Sequence, residues 1–239
     1  MLSSPQMRLA VIIPAYNEAK VIGEVLDRFL DTTKKLRRSG FQCELLVIDD
    51  GSSDKTAEIA RSKGTRVVSH IVNLGLGGAI STGLLIARRE GFDAAITIDS
   101  DGQHSPKDLE AMAKEVAKKK ADFIVGSRWL KDDGDAPFLR RFGNKYVMNI
   151  LTLVFTGVRT SDSQSGLRAF GPRAVEKLRL IPSRMEVSTE IFREVGRHSL
   201  KIREIPIEAI YTEYSLRKGQ RVLNGLNITW RLMMRRLLS

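Results

Sequence analysis

The sequence predicts an α/β fold, a mostly parallel sheet with helices on both faces. Three observations carry this. Short apolar runs alternate with stretches of helical spacing over residues 8–126, the signature of successive strand–helix units. Pro, Gly and Asp residues punctuate the runs. The polar clusters follow Ile13, Ile48 and Ile98, at the carboxyl ends of strands, where ligands of such sheets sit.

The elements follow in order. Leu9–Ile13 is a buried strand stopped by Pro14. Residues 18–38 form a helix, with Val21, Ile22, Val25, Leu26, Phe29 and Leu30 on one face and Gly40 ending it. Glu44–Ile48 is a strand, Asp54–Ser62 a helix, Thr65–Ser69 a strand and Gly78–Arg89 a helix. Ala94–Ile98 is a strand that runs into Asp99. Pro106–Lys119 is a helix, with Ser105 as N-cap and Pro106 at the first helical position. Phe123–Val125 is a fifth strand. Beyond residue 130 the alternation stops. Residues 137–157 are basic, then apolar; residues 160–171 are small, polar and glycine-bearing; Lys201–Ile210 is a strand interrupted at Pro206; Val222–Leu238 is a helix.

Composition narrows the function classes. The 239 residues are 42% hydrophobic, which excludes global disorder. One cysteine, Cys43, excludes an internal disulfide or a cysteine zinc cluster. The net charge of +11 is uneven. Residues 1–119 hold 17 basic and 16 acidic side chains; residues 120–239 hold 22 and 12. This asymmetry points to nucleic acid or an anionic membrane surface, or else to a basic solvated face. The N-terminus reaches a strand pattern at once, without signal-peptide features. The most apolar stretch, Ile150–Val158, is far short of the roughly 20 residues a membrane span needs. Membrane contact is therefore expected to be peripheral.

Four polar clusters can carry chemistry. Asp99-Ser100-Asp101-Gly102-Gln103-His104 places two carboxylates and an amide after a buried strand, and hard oxygen donors suit Mg²⁺ or Mn²⁺. The alternative is an Asp-rich turn capping the next helix. Pro14-Ala15-Tyr16-Asn17-Glu18 offers Tyr16 to a base or ribose and Glu18 as an acceptor, or is a turn and cap. In Asp49-Asp50-Gly51-Ser52-Ser53-Asp54, Asp50 is placed to accept from a base or ribose, and Asp54 to cap the helix near Lys55. Asn73-Leu74-Gly75-Leu76-Gly77-Gly78 is not a dinucleotide fingerprint, because Ile80 occupies the last glycine position. It is a close-approach loop at a helix N-terminus, or a tight turn.

Taken in order, these segments resemble the family 2 glycosyltransferases of the inverting, metal-dependent kind. They are most similar to dolichyl-phosphate mannose and glucose synthases and their polyprenyl-phosphate relatives. Asp162-Ser163-Gln164-Ser165-Gly166-Leu167-Arg168 belongs to the same pattern, and the resemblance spans residues 8–220. It implies a glycosyltransferase A-type fold with amphipathic interface helices. The catalytic domain is then residues 1–212, with a nucleotide- and metal-binding half at 8–126, an acceptor half at 127–212 and a basic tail at 213–239.

The resemblance also assigns roles. Pro14, Tyr16, Glu18, Ile48, Asp50, Asp99, Ser100, Asp101, Arg128 and Lys218 match positions that bind the nucleotide sugar. Asp99, Asp101 and Gln103 match those that hold the metal. Arg128, Arg140 and Asn144 match those that approach the lipid phosphate, and Asp101 and Arg128 are the catalytic pair. Thr212 stands where mannose synthases carry an arginine, which opens the donor to UDP-glucose or UDP-N-acetylglucosamine beside GDP-mannose. The implied reaction is inverting transfer to dolichyl or polyprenyl phosphate, giving a β-linked product. His104 is a candidate base only for a hydroxyl acceptor.

A lipid acceptor requires a membrane surface. Arg140, Arg141 and Lys145 precede the apolar stretch Val147–Phe155, as in an interfacial helix, or in an amphipathic helix packed on the sheet. From Tyr214 to Ser239 there are six basic residues and no acidic one, a pattern that attracts anionic lipid. The expected location is the cytoplasmic face of the membrane, with room for a membrane-anchoring partner. Two rival readings remain: the same enzyme class acting on a hydroxyl acceptor, and a basic nucleic-acid-binding protein. The second lacks a zinc motif and interleaved aromatics, so no nucleic-acid partner is expected.

Overall fold

The computed structural model describes residues 7–130, 147–181, 187–208 and 210. Arg140, Asn144, Thr212, Lys218 and the basic tail lie outside the described residues. The strands are β1 (Met7–Ala15), β2 (Phe41–Asp49), β3 (Arg66–Ser69), β4 (Ala94–Thr97), β5 (Phe123–Ser127), β6 (Arg168–Phe170) and β7 (Ile202–Pro206). The helices are α1 (Ile22–Arg38), α2 (Thr56–Ser62), α3 (Gly75–Arg89), α4 (Pro106–Ala117), α5 (Asn149–Thr156), α6 (Pro172–Lys177) and α7 (Val187–Arg197).

These strands form one sheet in the order β3-β2-β1-β4-β6-β5-β7. β6 runs antiparallel to both neighbours and every other pairing is parallel. The predicted mostly parallel sheet is thus observed. Side chains alternate along β1: Leu9, Val11 and Ile13 enter a core with Val25, Leu26 and Phe29 of α1 and Met112 and Val116 of α4. Ala10 and Ile12 enter the opposite core with Ile80 and Leu84 of α3 and Ile191 and Phe192 of α7. The stretch of β1 buried on both faces, Leu9–Ile13, is accordingly apolar at every position.

β1 pairs with β2 on one side and β4 on the other. The chain therefore leaves β1 in one direction and returns past it in the other. Such a reversal is where open α/β sheets place a ligand crevice, here at the carboxyl ends of β1 and β4. Pro14 and Ile48 are register partners at that end.

Several boundaries differ from the sequence expectation. α1 starts at Ile22, not residue 18, because Glu18 C=O accepts from both Val21 and Ile22 N–H in a turn. Asn17 in that turn has φ +54°. α3 starts at Gly75, so most of the glycine-rich segment is helix rather than loop. β7 ends at Pro206. The segment beyond residue 130, where the sequence shows no alternation, contributes β6, α6 and α7. The Ser105 cap is as expected: its hydroxyl accepts Asp108 N–H, and the Asp108 carboxylate accepts Ser105 N–H.

Candidate active site

Two loops form one wall of the crevice. Asn17 N–H donates to Ser52 Oγ at 2.9 Å and Ser53 N–H donates to Asn17 Oδ1 at 2.9 Å. Glu18 N–H donates to Thr56 Oγ1 at 2.7 Å. Asp54 accepts from Thr56 N–H and Ala19 N–H, so it ties the two loops together; the N-cap of α2 is Lys55, not Asp54. Glu18 and Asp50 are buried; Tyr16 is 46% exposed at the rim. Pro14 is buried and Ile48 lies wholly in the core. Asp50 accepts Leu74 and Gly75 N–H at the start of α3.

The second wall follows β4. Asp101 Oδ1 accepts Gln103 N–H at 3.0 Å and Oδ2 accepts Gln103 Nε2–H at 2.7 Å. This leaves the Gln103 amide oxygen as its remaining ligand atom. Ser100, Gln103 and His104 are buried. His104 Nε2 lies 3.9 Å from Asp99 Oδ2. Burial, then the charge of Asp99, pushes the Asp101 carboxyl above its usual range, and Glu18 adds to the rise. Burial also pushes Asp99 up, but His104, Arg168 and Arg128 outweigh it and hold Asp99 below its usual range.

The antiparallel strand β6 and the loop before it deliver a buried cluster against Asp99. Arg128 Nε and Nη2 grip Asp162 at 2.8 Å each, and Arg128 N–H adds a bond at 3.1 Å. Asp162 is wholly buried. Arg168, also buried, donates through Nη2 to Ser163 O at 3.0 Å and Ser188 Oγ at 2.8 Å. Burial lowers Arg168 to about 10, against the upward pull of Asp99 and Asp162. Gly166 abuts Asp99 so closely that a Cβ there would overlap the carboxylate. Beyond β7, Ile210 N–H donates to Gln103 O at 2.9 Å, which brings that segment to the same loop.

The structure thus gathers Asp99, Ser100, Asp101, Gln103 and Arg128 on one side, and Pro14, Tyr16, Glu18, Ile48 and Asp50 on the other. Asp162, Gly166 and Arg168 were legible only as a motif, and His70 bore no sequence signal at all. The donor set fits a hard divalent cation: two carboxylates and an amide oxygen, with the Asp101 carboxyl raised by burial and then by the charge of Asp99. Among the described residues no three His, Cys, Asp or Glu side chains converge. Such a cation would complete its shell with water and substrate oxygens.

Comparison with known proteins fits this architecture. An uncharacterised protein of Methanocaldococcus jannaschii is 42% identical over 95% of this chain and 91% of its own length. The UDP-N-acetylglucosamine–dolichyl-phosphate N-acetylglucosaminyltransferase of Methanococcus voltae is 34% identical, covering 94% of each chain. In fold, the glucosyl-3-phosphoglycerate synthase of Mycobacterium tuberculosis, solved with Mn²⁺, uridine diphosphate and glucosyl-3-phosphoglycerate, superposes with a TM-score of 0.71. It covers 95% of this chain and 77% of that one at 20% identity. Residues 10–179, well over half of the sequence, match the family described as glycosyl transferase family 2. With the crevice, the carboxylate pair and the segment Asp162–Arg168 in place, the chain belongs to glycosyl transferase family 2 and is a glycosyltransferase.

Proposed function

We propose that this enzyme moves a hexose from a nucleotide sugar to dolichyl or polyprenyl phosphate with inversion, giving a β-linked lipid-phosphate sugar. The observation that carries the reading is the meeting of acid and base at Asp99. A carboxylate pair suited to a cation stands beside two buried guanidinium groups, Arg128 and Arg168. A reaction between two phosphate-bearing substrates calls for both. The names of the 34% identical Methanococcus voltae transferase and of the dolichol-phosphate mannosyltransferase of Pyrococcus furiosus, 28% identical, support the lipid acceptor.

Pro14, Tyr16, Glu18, Ile48 and Asp50 would line the nucleoside, with Tyr16 free to stack. Ser100 and Lys218 would meet the donor phosphates. Asp99, Asp101 and Gln103 would hold Mg²⁺ or Mn²⁺. That ion, when bound, neutralises charge on the departing nucleoside diphosphate. Arg128, kept rigid by Asp162, would meet the acceptor phosphate with Arg140 and Asn144. A phosphate oxygen forms the bond to the anomeric carbon as the bond to the leaving phosphate breaks. The nucleophile is already anionic, so no general base is needed.

The acceptor lies in a bilayer. No helix among the described residues is long and apolar enough to cross a membrane. Val147, Ile150, Leu153 and Val154 expose apolar surface on and beside α5, which favours peripheral contact with the bilayer, here proposed at its cytoplasmic face. The catalytic unit is residues 1–212, and the basic tail 213–239, with or without an anchoring partner, adds attraction. Assays pairing dolichyl phosphate with UDP-N-acetylglucosamine, UDP-glucose or GDP-mannose, with Mn²⁺, should yield a lipid-linked β-glycoside. Absence of lipid product with every donor, or transfer only to soluble hydroxyls, refutes the reading.

A further inference from the structure

The carboxylate of Asp50 is nearly saturated by the chain itself. Oδ1 accepts Leu74 N–H at 2.9 Å and lies 2.8 Å from His70 Nδ1; Oδ2 accepts Gly75 N–H at 2.8 Å. The His70 ring is also fixed at its far side, where Nε2 lies 2.9 Å from Thr82 Oγ1 on α3. Its main-chain N–H donates to Asp49 O at 2.8 Å. A carboxylate oxygen only accepts, so Nδ1 carries the proton toward Asp50, while the Thr82 hydroxyl, which can donate or accept, holds Nε2. A carboxylate offers about four lone-pair positions. Among the described residues, partners fill both positions on Oδ1 and one on Oδ2, which leaves one on Oδ2.

We propose that His70 is a positioning residue that sets donor-nucleotide selectivity. By occupying Oδ1 it leaves Asp50 a single acceptor position. That matches a nucleobase whose pairing edge carries one N–H, as uracil does. It falls one short for guanine, whose N1–H and N2–H₂ approach a carboxylate as a pair. The donor is then a uridine diphosphate sugar. This inference rests on the proposed transfer and on Asp50 meeting the base. It also gives a physical reason for the Asp50–His70–Thr82 chain, which the transfer chemistry itself does not use. Because His70 and Asp50 side chains are only 10% and 4% exposed, water cannot readily substitute for a missing partner.

The test is calorimetric titration of UDP and of GDP, each with Mn²⁺, into the full chain and its His70→Leu, His70→Asn and Thr82→Val variants. Wild type should prefer UDP. His70→Leu should shrink the ratio of the two dissociation constants by about tenfold, the effect of one hydrogen bond to a charged group. His70→Asn places an amide nitrogen near the former Nδ1 and should keep the preference. A merely structural role would weaken both nucleotides alike and leave the ratio unchanged. If His70→Leu does not fold, Thr82→Val, which loosens the ring without removing it, should shift the ratio the same way. An unchanged ratio, or a wild-type preference for GDP, overturns the inference and leaves the transfer reaction standing. A wild type that binds neither nucleotide overturns both.

Discussion

Gly166 and Asp99 occupy space that only a hydrogen atom at the glycine can share. A Cβ on Gly166 would overlap the Asp99 carboxylate. The glycine is held there by its own carbonyl, which accepts from Thr97 Oγ1 at 3.0 Å. Thr97 is the last residue of β4 and Arg168 the first of β6, and the two are register partners. The antiparallel insertion of β6 therefore fixes the position of a carboxylate just beyond the end of the neighbouring strand.

Gly166→Ala must displace either the loop or Asp99. We expect stability to fall by about 1–3 kcal/mol from overpacking. Transfer should fall by about 100-fold, the usual effect of moving a reacting group by an ångström. The Mn²⁺ dependence of turnover should shift to higher concentration. Urea unfolding and a metal titration of activity check this, and wild-type turnover at limiting Mn²⁺ would show that Asp99 keeps its place by other means.

Asp101 yields a pH prediction. Its carboxyl is raised by burial and by Asp99, so the metal-free fold binds its proton more tightly than the unfolded chain does. The associated stability is present below the unfolded value, near the ordinary Asp range, and is lost as pH rises through the raised folded value. Asp101→Asn imitates the protonated acid. The variant should match wild type at low pH and be the more stable protein at neutral pH. Mn²⁺ should stabilise wild type and not the variant, and the variant's transfer should fall by at least about 100-fold. Thermal unfolding across pH, with and without Mn²⁺, reads all of these. A neutral-pH stability for Asp101→Asn below that of wild type would contradict the charge argument.

Arg128 and Asp162 form a buried pair, with side chains 10% and 0% exposed. Removing Asp162 takes from the buried Arg128 the carboxylate it grips through two side-chain bonds. Asp162→Ala should cost about 3–5 kcal/mol, whereas the double change Arg128→Met with Asp162→Leu should recover much of that loss. Activity should not return with stability, because the guanidinium is gone. Denaturant unfolding with parallel assays separates the two effects. Full activity in the double variant would remove Arg128 from the acceptor site.

The first half of the fold was legible because its strands are continuous apolar runs with strong punctuation, and the four clusters at their ends were visible for the same reason. β6 was not. It is three residues long and starts with Arg168, and its place between β4 and β5 comes from pairings distant in sequence. α7 did carry a local signal. Val187, Ile191 and Val195 recur at four-residue spacing and are buried, a helical periodicity within the segment beyond residue 130. The contacts of Gly166 with Asp99 and of His70 with Asp50 join segments many residues apart. No local pattern encodes them.

The exposed face of α5 gives the last prediction. Met148 and Thr152, four residues apart, face the protein, while Val147, Ile150 and Val154 present apolar side chains outward. The helix is not adrift. Asn149 Nδ2 donates to Ser161 O at 2.5 Å, and Asn149 Oδ1 accepts Ser163 N–H at 2.9 Å. Those bonds flank Asp162, the partner of Arg128. A bilayer contacting Ile150 and Val154 would therefore sit at a fixed offset from the guanidinium proposed to receive the lipid phosphate. Ile150→Glu removes about 1.5–3 kcal/mol of apolar burial and adds a charge repelled by anionic headgroups. Partition onto vesicles containing anionic lipid should drop at least about tenfold. As an exposed substitution it should leave unfolding stability within about 0.5 kcal/mol. Vesicle co-sedimentation and urea unfolding measure the two quantities separately. Equal partition of variant and wild type would take α5 off the membrane face and leave the basic tail to account for attachment.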